Sequence, residues 1–390
     1  MRIRRLILRL VIALAAVIAG YLIVAPTGRY LLRAGWEEGK ILWHRRPIAA
    51  MIADPSTPPA VRAKLRVVLA ARAFAAESLG LAAKQSFTTY SRLPHDTLVL
   101  VLSGAYRDRL QPVTWWFPIV GRVPYKGYFD FDAARGAARQ LEADGYDAYL
   151  RPSPAFSTLG FFNDPLLSTT LEDDSLELAN TVFHELTHNT FYASGQAVFN
   201  ESFANFSGAR GAERFFRSRG DSLAARAVGA RWDDEKILAR FWDGVYRSID
   251  SVYRTHPDDR AERIAAHDTV YARARRILVH DVGPQLRTID TRYLDRVRLS
   301  NAALLAQRIY TTDLDDFDAV YEREGRDVKR AVARIITLAK SRPDDPFGAV
   351  RDWVSAGAVD PAAAGSTATS TPAGIAPAPA AGSTREPPEQ

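Results

Sequence analysis

The feature that most constrains this 390-residue chain is a pair of histidines, His184 and His188, four positions apart in a predicted helix. Residues at i and i+4 lie on one face of a helix, with Cβ atoms about 5–6 Å apart. Two imidazole nitrogens can therefore reach one Zn²⁺ at about 2.0–2.1 Å. Glu185 lies between them, where it can accept a proton from a water at the metal. The motif predicts one zinc ion on His184 and His188, with Glu185 as the general base.

A catalytic zinc site needs a third protein ligand, and the chain has no cysteine to supply it. Glu201 is the preferred candidate, because Asn200 has the character of an N-cap and a reversal near Ser194 and Gly195 would return a second helix antiparallel to the first. Two histidines and a glutamate form a known catalytic zinc set. A metzincin arrangement is excluded, because its third histidine would fall on Ser194. The alternative third ligands are Glu213, Asp233, Asp234, His256 and His267.

Several stretches of the chain, beyond this motif, resemble the bacterial family of zinc aminopeptidases within the gluzincin metallopeptidases. They are residues 114–119, 123–129, 156–160, 164–169, 184–188 and 200–204. The resemblance covers approximately residues 30–340. It implies a single zinc ion on His184, His188 and Glu201, Glu185 as general base, and removal of N-terminal residues from peptide substrates. It also places Asn205 where gluzincins often orient a ligand histidine.

Two departures from related enzymes accompany this resemblance. The interval between His188 and Glu201 is shorter than in thermolysin-like enzymes, and the N-terminus lacks the lipid-anchor cysteine that family members often carry. A zinc endopeptidase on the same ligands and a non-catalytic helical envelope protein remain alternative functions. The side chain that stabilises the transition state also stays open. The candidates are Tyr192, Tyr253, His256, His267, His280 and Tyr310.

The positive charge of the chain is concentrated near its N-terminus. The formal net charge is +6, but residues 1–46 alone hold nine basic side chains against two acidic ones. The remaining 344 residues are nearly neutral, with 42 basic and 43 acidic side chains. A nucleic-acid-binding body is therefore not expected.

An apolar run at residues 6–25, interrupted by Arg9, predicts a membrane segment. A spanning helix needs about 20 apolar residues, and an arginine near its end can reach the interface. We therefore expect residues 1–27 to form a single-pass anchor in the bacterial inner membrane, with the catalytic region on the periplasmic side. A cleaved signal peptide is the alternative. The oligomeric state is not predicted.

The pattern of the body predicts an α+β fold, with a small mixed sheet followed by a mainly helical, zincin-like catalytic region. Residues 28–95 are expected to be helical, and residues 96–350 to form the gluzincin-like metallopeptidase region. A strand predicted at residues 155–161 is the candidate edge for aligning a peptide substrate. Residues 361–390 consist almost entirely of small residues, proline and a few polar side chains, which predicts a disordered tail.

Overall fold

The computed structural model describes residues 2–93, 99–117, 121–153 and 165–357, and most of these residues are helical. The helices before the metal motif are α1 (Arg2–Val24), α2 (Pro26–Trp43), α3 (Ile48–Ala53), α4 (Pro59–Phe74), α5 (Phe131–Ala143) and α6 (Ser168–Leu171). The later helices are α7 (Ser175–Thr190), α8 (Ala197–Ser218), α9 (Ser222–Thr255), α10 (Arg260–Ile277), α11 (Asn301–Thr311), α12 (Leu314–Arg323), α13 (Val328–Ser341) and α14 (Pro346–Ala356).

The described strands are short and form three small sheets. They are β1 (Arg46–Pro47), β2 (Thr89–Ser91), β3 (Val99–Tyr106), β4 (Trp115–Phe117), β5 (Gly121–Val123), β6 (Tyr125–Tyr128), β7 (Tyr146–Ser153) and β8 (Leu166–Leu167). In the largest sheet, β3 lies between β6 and β7 and is antiparallel to both. The prediction of small sheets together with a mainly helical region is confirmed, although the strands do not form one mixed sheet.

The local order around β3 and β7 follows from a few residues. Six of the eight residues of β3 are buried, as suits a strand that begins with the apolar run Val99–Leu102. Asp130 caps α5 by accepting hydrogen bonds from the backbone nitrogens of Asp132 and Ala133. Gly145, at a φ of +84°, turns the chain from α5 into β7. The predicted strand at 155–161 and the predicted tail at 361–390 lie outside the described residues.

The N-terminal part of the chain differs from its prediction in two ways. The expected helical region 28–95 contains α2, α3 and α4, but it also contributes β1 and β2, and β2 pairs with β8 from beyond residue 165. A spanning helix needs about 20 predominantly apolar residues. Among the described residues, no helix is long and apolar enough to cross a membrane. The predicted membrane anchor is therefore not supported.

The helices that carry the metal motif are held in an aromatic core. Fully buried phenylalanines line it, namely Phe183, Phe199, Phe203, Phe206 and Phe317. Burying one such side chain contributes about 1.5–3 kcal/mol relative to its exposed state. The buried faces of α7 and α8 therefore have little freedom to shift, which gives the polar faces of these helices a rigid support.

Candidate metal centre

Helix α7 presents both histidines of the motif on one face. Its N-cap, Asp174, accepts hydrogen bonds from the backbone nitrogens of Leu176 and Glu177, each at 2.9 Å. The opposite face is anchored by Phe183 and Leu186, which are completely buried. The rings of His184 and His188 then lie with their centroids 4.9 Å apart. The predicted i, i+4 arrangement of the two imidazoles is confirmed.

The reversal after α7 is present, but Asn200 has a different role from the predicted N-cap. Gly195, at a φ of +76°, makes the turn, and α8 begins at Ala197. Asn200 lies inside the first turn of α8, where its amide bonds the backbone nitrogen and oxygen of Ala193, each at 2.8 Å. Capping the connecting loop in this way satisfies buried backbone groups. Asn200 therefore fixes the loop, and Glu201 follows it on the inner face.

Helices α7 and α8 pack antiparallel at close range. The hydroxyl of Thr187 donates to that of Ser207 at 2.7 Å in the buried interface. Further along, a Cβ on Gly211 would lie 2.9 Å from Cγ of Phe183, so a larger residue would push the helices apart. The close packing brings Glu201 on α8 back to His184 and His188 on α7.

Three donor atoms converge between these helices. His184 Nε2 lies 3.4 Å from Glu201 Oε2, and His188 Nε2 lies 3.6 Å from Glu201 Oε1. The two histidine Nε2 atoms are 3.2 Å apart. The three side chains are 16%, 10% and 26% exposed, so the cluster is sheltered but open to a small ligand. His184, His188 and Glu201 can therefore hold a metal ion.

The alternative third ligands lie in other contacts. Glu213 forms ion pairs with Arg210 and Arg217. Asp234 is fully buried and accepts hydrogen bonds from the loop at Arg287 and Thr288. Asp233 forms an ion pair with Arg287, His256 contacts the carboxylate of Glu262, and His267 contacts that of Asp147. Within the described ranges, these residues do not join the histidine pair, and the metal-compatible cluster has Glu201 as its third member.

The charges of the cluster favour a cation between the three side chains. Burial lowers the pKa of His184, but the hydrogen bond to Glu201 and the negative charges of Glu185 and Glu201 raise it to about 8. Burial alone would raise the pKa of Glu201, yet its hydrogen bonds to both histidines hold that pKa far below its usual range. The carboxylate is therefore ionised, and a positive charge on its neighbours is stabilised.

Asn205 links the cluster to the end of α11. Beside Glu201 and Glu185, its side chain contributes to the raised pKa of His184. Its Nδ2 donates to the backbone oxygen of Tyr310 at 2.9 Å. The amide thus fixes the backbone that carries Tyr310 to α8.

The fold places some of the six candidates for the transition-state donor beside the metal cluster and the others in different contacts. The charge of Glu201 raises the pKa of Tyr192 and of Tyr310, and Glu185 also raises that of Tyr310, although burial is the main cause for both. Tyr253 and His267 lie in a separate polar network, and His256 pairs with Glu262. His280 lies in a π-helical turn, Leu278–Val282, after α10. Tyr192 and Tyr310 therefore remain as candidates beside the cluster.

Several side chains near the cluster were not singled out from the sequence. Burial, with the charges of Tyr310 and Glu201, raises the pKa of Tyr125 to about 12. Arg151 donates from Nη2 to the hydroxyl of Tyr310 at 3.0 Å. Burial raises the pKa of Glu235 to about 7, and the charge of His184 opposes that rise. Tyr125 falls in a stretch that carries the family resemblance, which is the one signal in the sequence for these three.

The fold and the cluster define a mainly helical protein with a His, His, Glu centre able to hold a metal ion. A family model described as "Putative aminopeptidase" matches residues 29–346. The match covers most of the chain, and the chain therefore belongs to this family. Comparison with curated proteins finds no match, and comparison with solved structures finds none either. Family membership supports peptide hydrolysis as the class of activity.

Proposed function

We propose that the protein is a zinc-dependent aminopeptidase that removes N-terminal residues from peptides. The observation that carries the proposal is the convergence of donor atoms from three side chains: the two histidine Nε2 atoms lie 3.2 Å apart, and a different carboxylate oxygen of Glu201 lies near each of them, at 3.4 Å and 3.6 Å. Donors bonded to one zinc at about 2.0–2.1 Å in tetrahedral geometry lie about 3.3 Å from each other. The donor set fits zinc in kind as well, because it consists of two imidazoles and one carboxylate.

His184, His188 and Glu201 would hold the ion. Bound there, zinc supplies a Lewis acid that polarises the peptide carbonyl and makes water more acidic. Asn205, which contributes to the raised pKa of His184, would orient the ring of that ligand. The aromatic core behind α7 keeps the two rings from turning away.

Glu185 is the general base of the proposed reaction. It is half-buried on α7 directly after His184, and its charge acts on both His184 and Tyr310. A carboxylate so placed can take a proton from the attacking water and return it to the leaving amine. Both proton transfers use the same side chain, so the residue is restored at the end of the cycle.

Tyr310 is the proposed donor to the carbonyl oxygen as negative charge develops on it. Its backbone is tied to Asn205, and its hydroxyl is held by Arg151. Tyr192 is more exposed, at 44%, and its ring centroid lies 6.5 Å from that of His188. Because a preorganised donor is worth more than a mobile one, we assign the role to Tyr310.

Metal analysis and peptide cleavage by the full chain test this proposal. We expect one zinc per chain, lost in His184→Ala, and cleavage of peptides that carry a free N-terminus. Glu185→Gln should keep the zinc and lower kcat by about 10²–10⁴-fold, because it removes the base and leaves the ligands in place. A zinc-free protein, or a Glu185→Gln variant with normal kcat, would contradict the assignment.

The same peptides with acetylated N-termini separate the two peptidase types. An aminopeptidase requires the free amine, so blocked peptides should be cleaved far more slowly. Equal cleavage of free and blocked peptides would contradict the aminopeptidase assignment and favour an endopeptidase. It would not contradict the assignment of the metal centre.

A further inference from the structure

We propose that Arg151 is a positioning residue that holds the Tyr310 hydroxyl so that its proton points to the peptide carbonyl. The inference rests on the proposed function, and it adds a residue from the sheet to a site otherwise built from helices. Nothing in the motif or its spacing indicates Arg151, which lies 33 positions before His184.

The contact between the two side chains determines which way the phenol can donate. Arg151 Nη2 donates to Tyr310 Oη at 3.0 Å, and the guanidinium carbon lies 5.3 Å from the ring centroid. A phenol oxygen has one proton and can accept through its lone pairs. Because the arginine has donors and no acceptor, the tyrosine proton is left for another partner. The bond therefore acts as a directional restraint on the hydroxyl.

Both ends of this contact are attached to rigid elements. Arg151 lies on β7 opposite Val101 of β3, the central strand of its sheet. Tyr310 lies at the end of α11, and its carbonyl oxygen accepts from Asn205 at 2.9 Å. Since Asn205 lies one helical turn after the candidate ligand Glu201 on α8, the tyrosine backbone is positioned relative to that ligand. The arrangement connects sheet, helix and metal centre through three side chains.

The charge of Arg151 adds to its effect on Tyr310. A guanidinium stays protonated in proteins and forms charge-assisted hydrogen bonds. In the part of the chain that the structure describes, its polar side-chain partner is the tyrosine hydroxyl, whereas Arg107, directly after β3, pairs with Asp147 and Asp268. A cation whose charge is not neutralised by a carboxylate strengthens the phenol as a donor. It also favours negative charge on the substrate oxygen.

A double-mutant cycle on the full-length, zinc-loaded protein tests the inference. The variants are Arg151→Met, Tyr310→Phe and the double variant, assayed on an aminoacyl-p-nitroanilide that the unaltered protein cleaves. We expect Arg151→Met to lower kcat about 10- to 100-fold with KM within about twofold, because the restraint acts on the transition state. Tyr310→Phe should lower kcat about 10²–10³-fold. Adding Arg151→Met to it should cause almost no further loss.

Arg109→Met is the matched control. Arg109 also lies over a tyrosine, with its guanidinium carbon 3.6 Å from the Tyr106 ring centroid, but its hydrogen-bond partners are Gln111 and Asp108 and not members of the metal cluster. This change should leave kcat within about twofold. Melting temperature and zinc content identify any variant that fails to fold. Arg151→Lys keeps the positive charge and a hydrogen-bond donor, so it should lower kcat less than Arg151→Met does. In the Tyr310→Phe background, Arg151→Lys should cause no further loss of kcat.

Losses of kcat that multiply in the double variant would overturn the inference, because Arg151 would then act independently of Tyr310. An unchanged kcat in Arg151→Met, or an effect confined to KM, would overturn it as well. A protein that binds zinc and cleaves none of the substrates would instead overturn the proposed function, and this inference with it.

Discussion

Two of the described regions of this protein combine sheltered histidines with carboxylates, and of these two the first has donor atoms that could hold a metal ion. At the metal centre, His184, His188 and Glu201 direct three donor atoms to a common point. In the second region, His267 lies between Asp268, at 2.8 Å from Nδ1, and Asp147, at 3.3 Å from Nε2. We call this second region the His267 network.

The difference between them lies in how the lone pairs are used. Asp147 Oδ2 in the His267 network also accepts the backbone nitrogen of Asn301 at 2.8 Å, and Arg107 lies beside its other oxygen. Each group there has its own partner, so the network joins the sheet to α10 and α11. At the metal centre, the Nε2 atoms face each other and share one carboxylate. Residue type is therefore a weaker indicator of a metal site than the convergence of donor atoms.

Replacing one histidine in each region should show the largest difference between the two regions. His184→Ala should lower zinc affinity by more than about 100-fold, because loss of a ligand exceeds the 10- to 100-fold effect of its outer partners. His267→Ala should keep full zinc content and lower the free energy of unfolding by about 1–3 kcal/mol, because buried partners are left unsatisfied. Zinc titration and denaturant unfolding measure the two effects. Zinc loss in His267→Ala would show that the two regions are coupled.

Asn205→Ala should have a smaller effect at the metal centre. We assign its side chain the role of orienting His184 without being a ligand, so zinc affinity should fall about 10- to 100-fold. Asn189→Ala is the matched control, since the amide of this α7 residue donates to Ser86 at 3.0 Å. Equal zinc affinities for the two variants, measured by competition with a chelator, would remove Asn205 from the centre.

The smallest expected effect concerns Glu235, which lies near the metal centre. Its ionisation should make the free energy of unfolding depend on pH. Burial, aided by the charge of Glu177, raises its pKa to about 7. A carboxyl whose pKa is raised in the folded state ionises at a lower pH in the unfolded chain than in the folded protein. The free energy of unfolding therefore falls as pH rises from the unfolded-state pKa toward 7. Glu235→Gln should therefore gain about 1–2 kcal/mol over the unaltered protein between pH 5 and 8. Unfolding curves of the metal-free proteins in a chelator test this, and a pH-independent difference would contradict it.

The parts of the structure that follow from short-range pattern could be predicted. The helix carrying His184 and His188, the return to Glu201 and the turn at Gly145 all depend on residues close together in sequence. The role of Asn200 could not be predicted in the same way. An asparagine before a helix suggests a cap, but its amide is committed to Ala193 in the preceding loop.

The sequence by itself determined the chemistry of the centre, because the i, i+4 spacing of a helix places two imidazoles together in any fold that contains that helix. It also indicated Glu201 through the predicted reversal into a second helix, and Asn205 through the resemblance. Only the tertiary structure decided which distant side chains complete the centre. Arg151 on β7 and Tyr310 on α11 meet because a sheet packs against a helix from 159 residues later, and no local pattern encodes such a contact. The same packing gave His267 its satisfied partners and left the donor atoms of His184 and His188 facing Glu201.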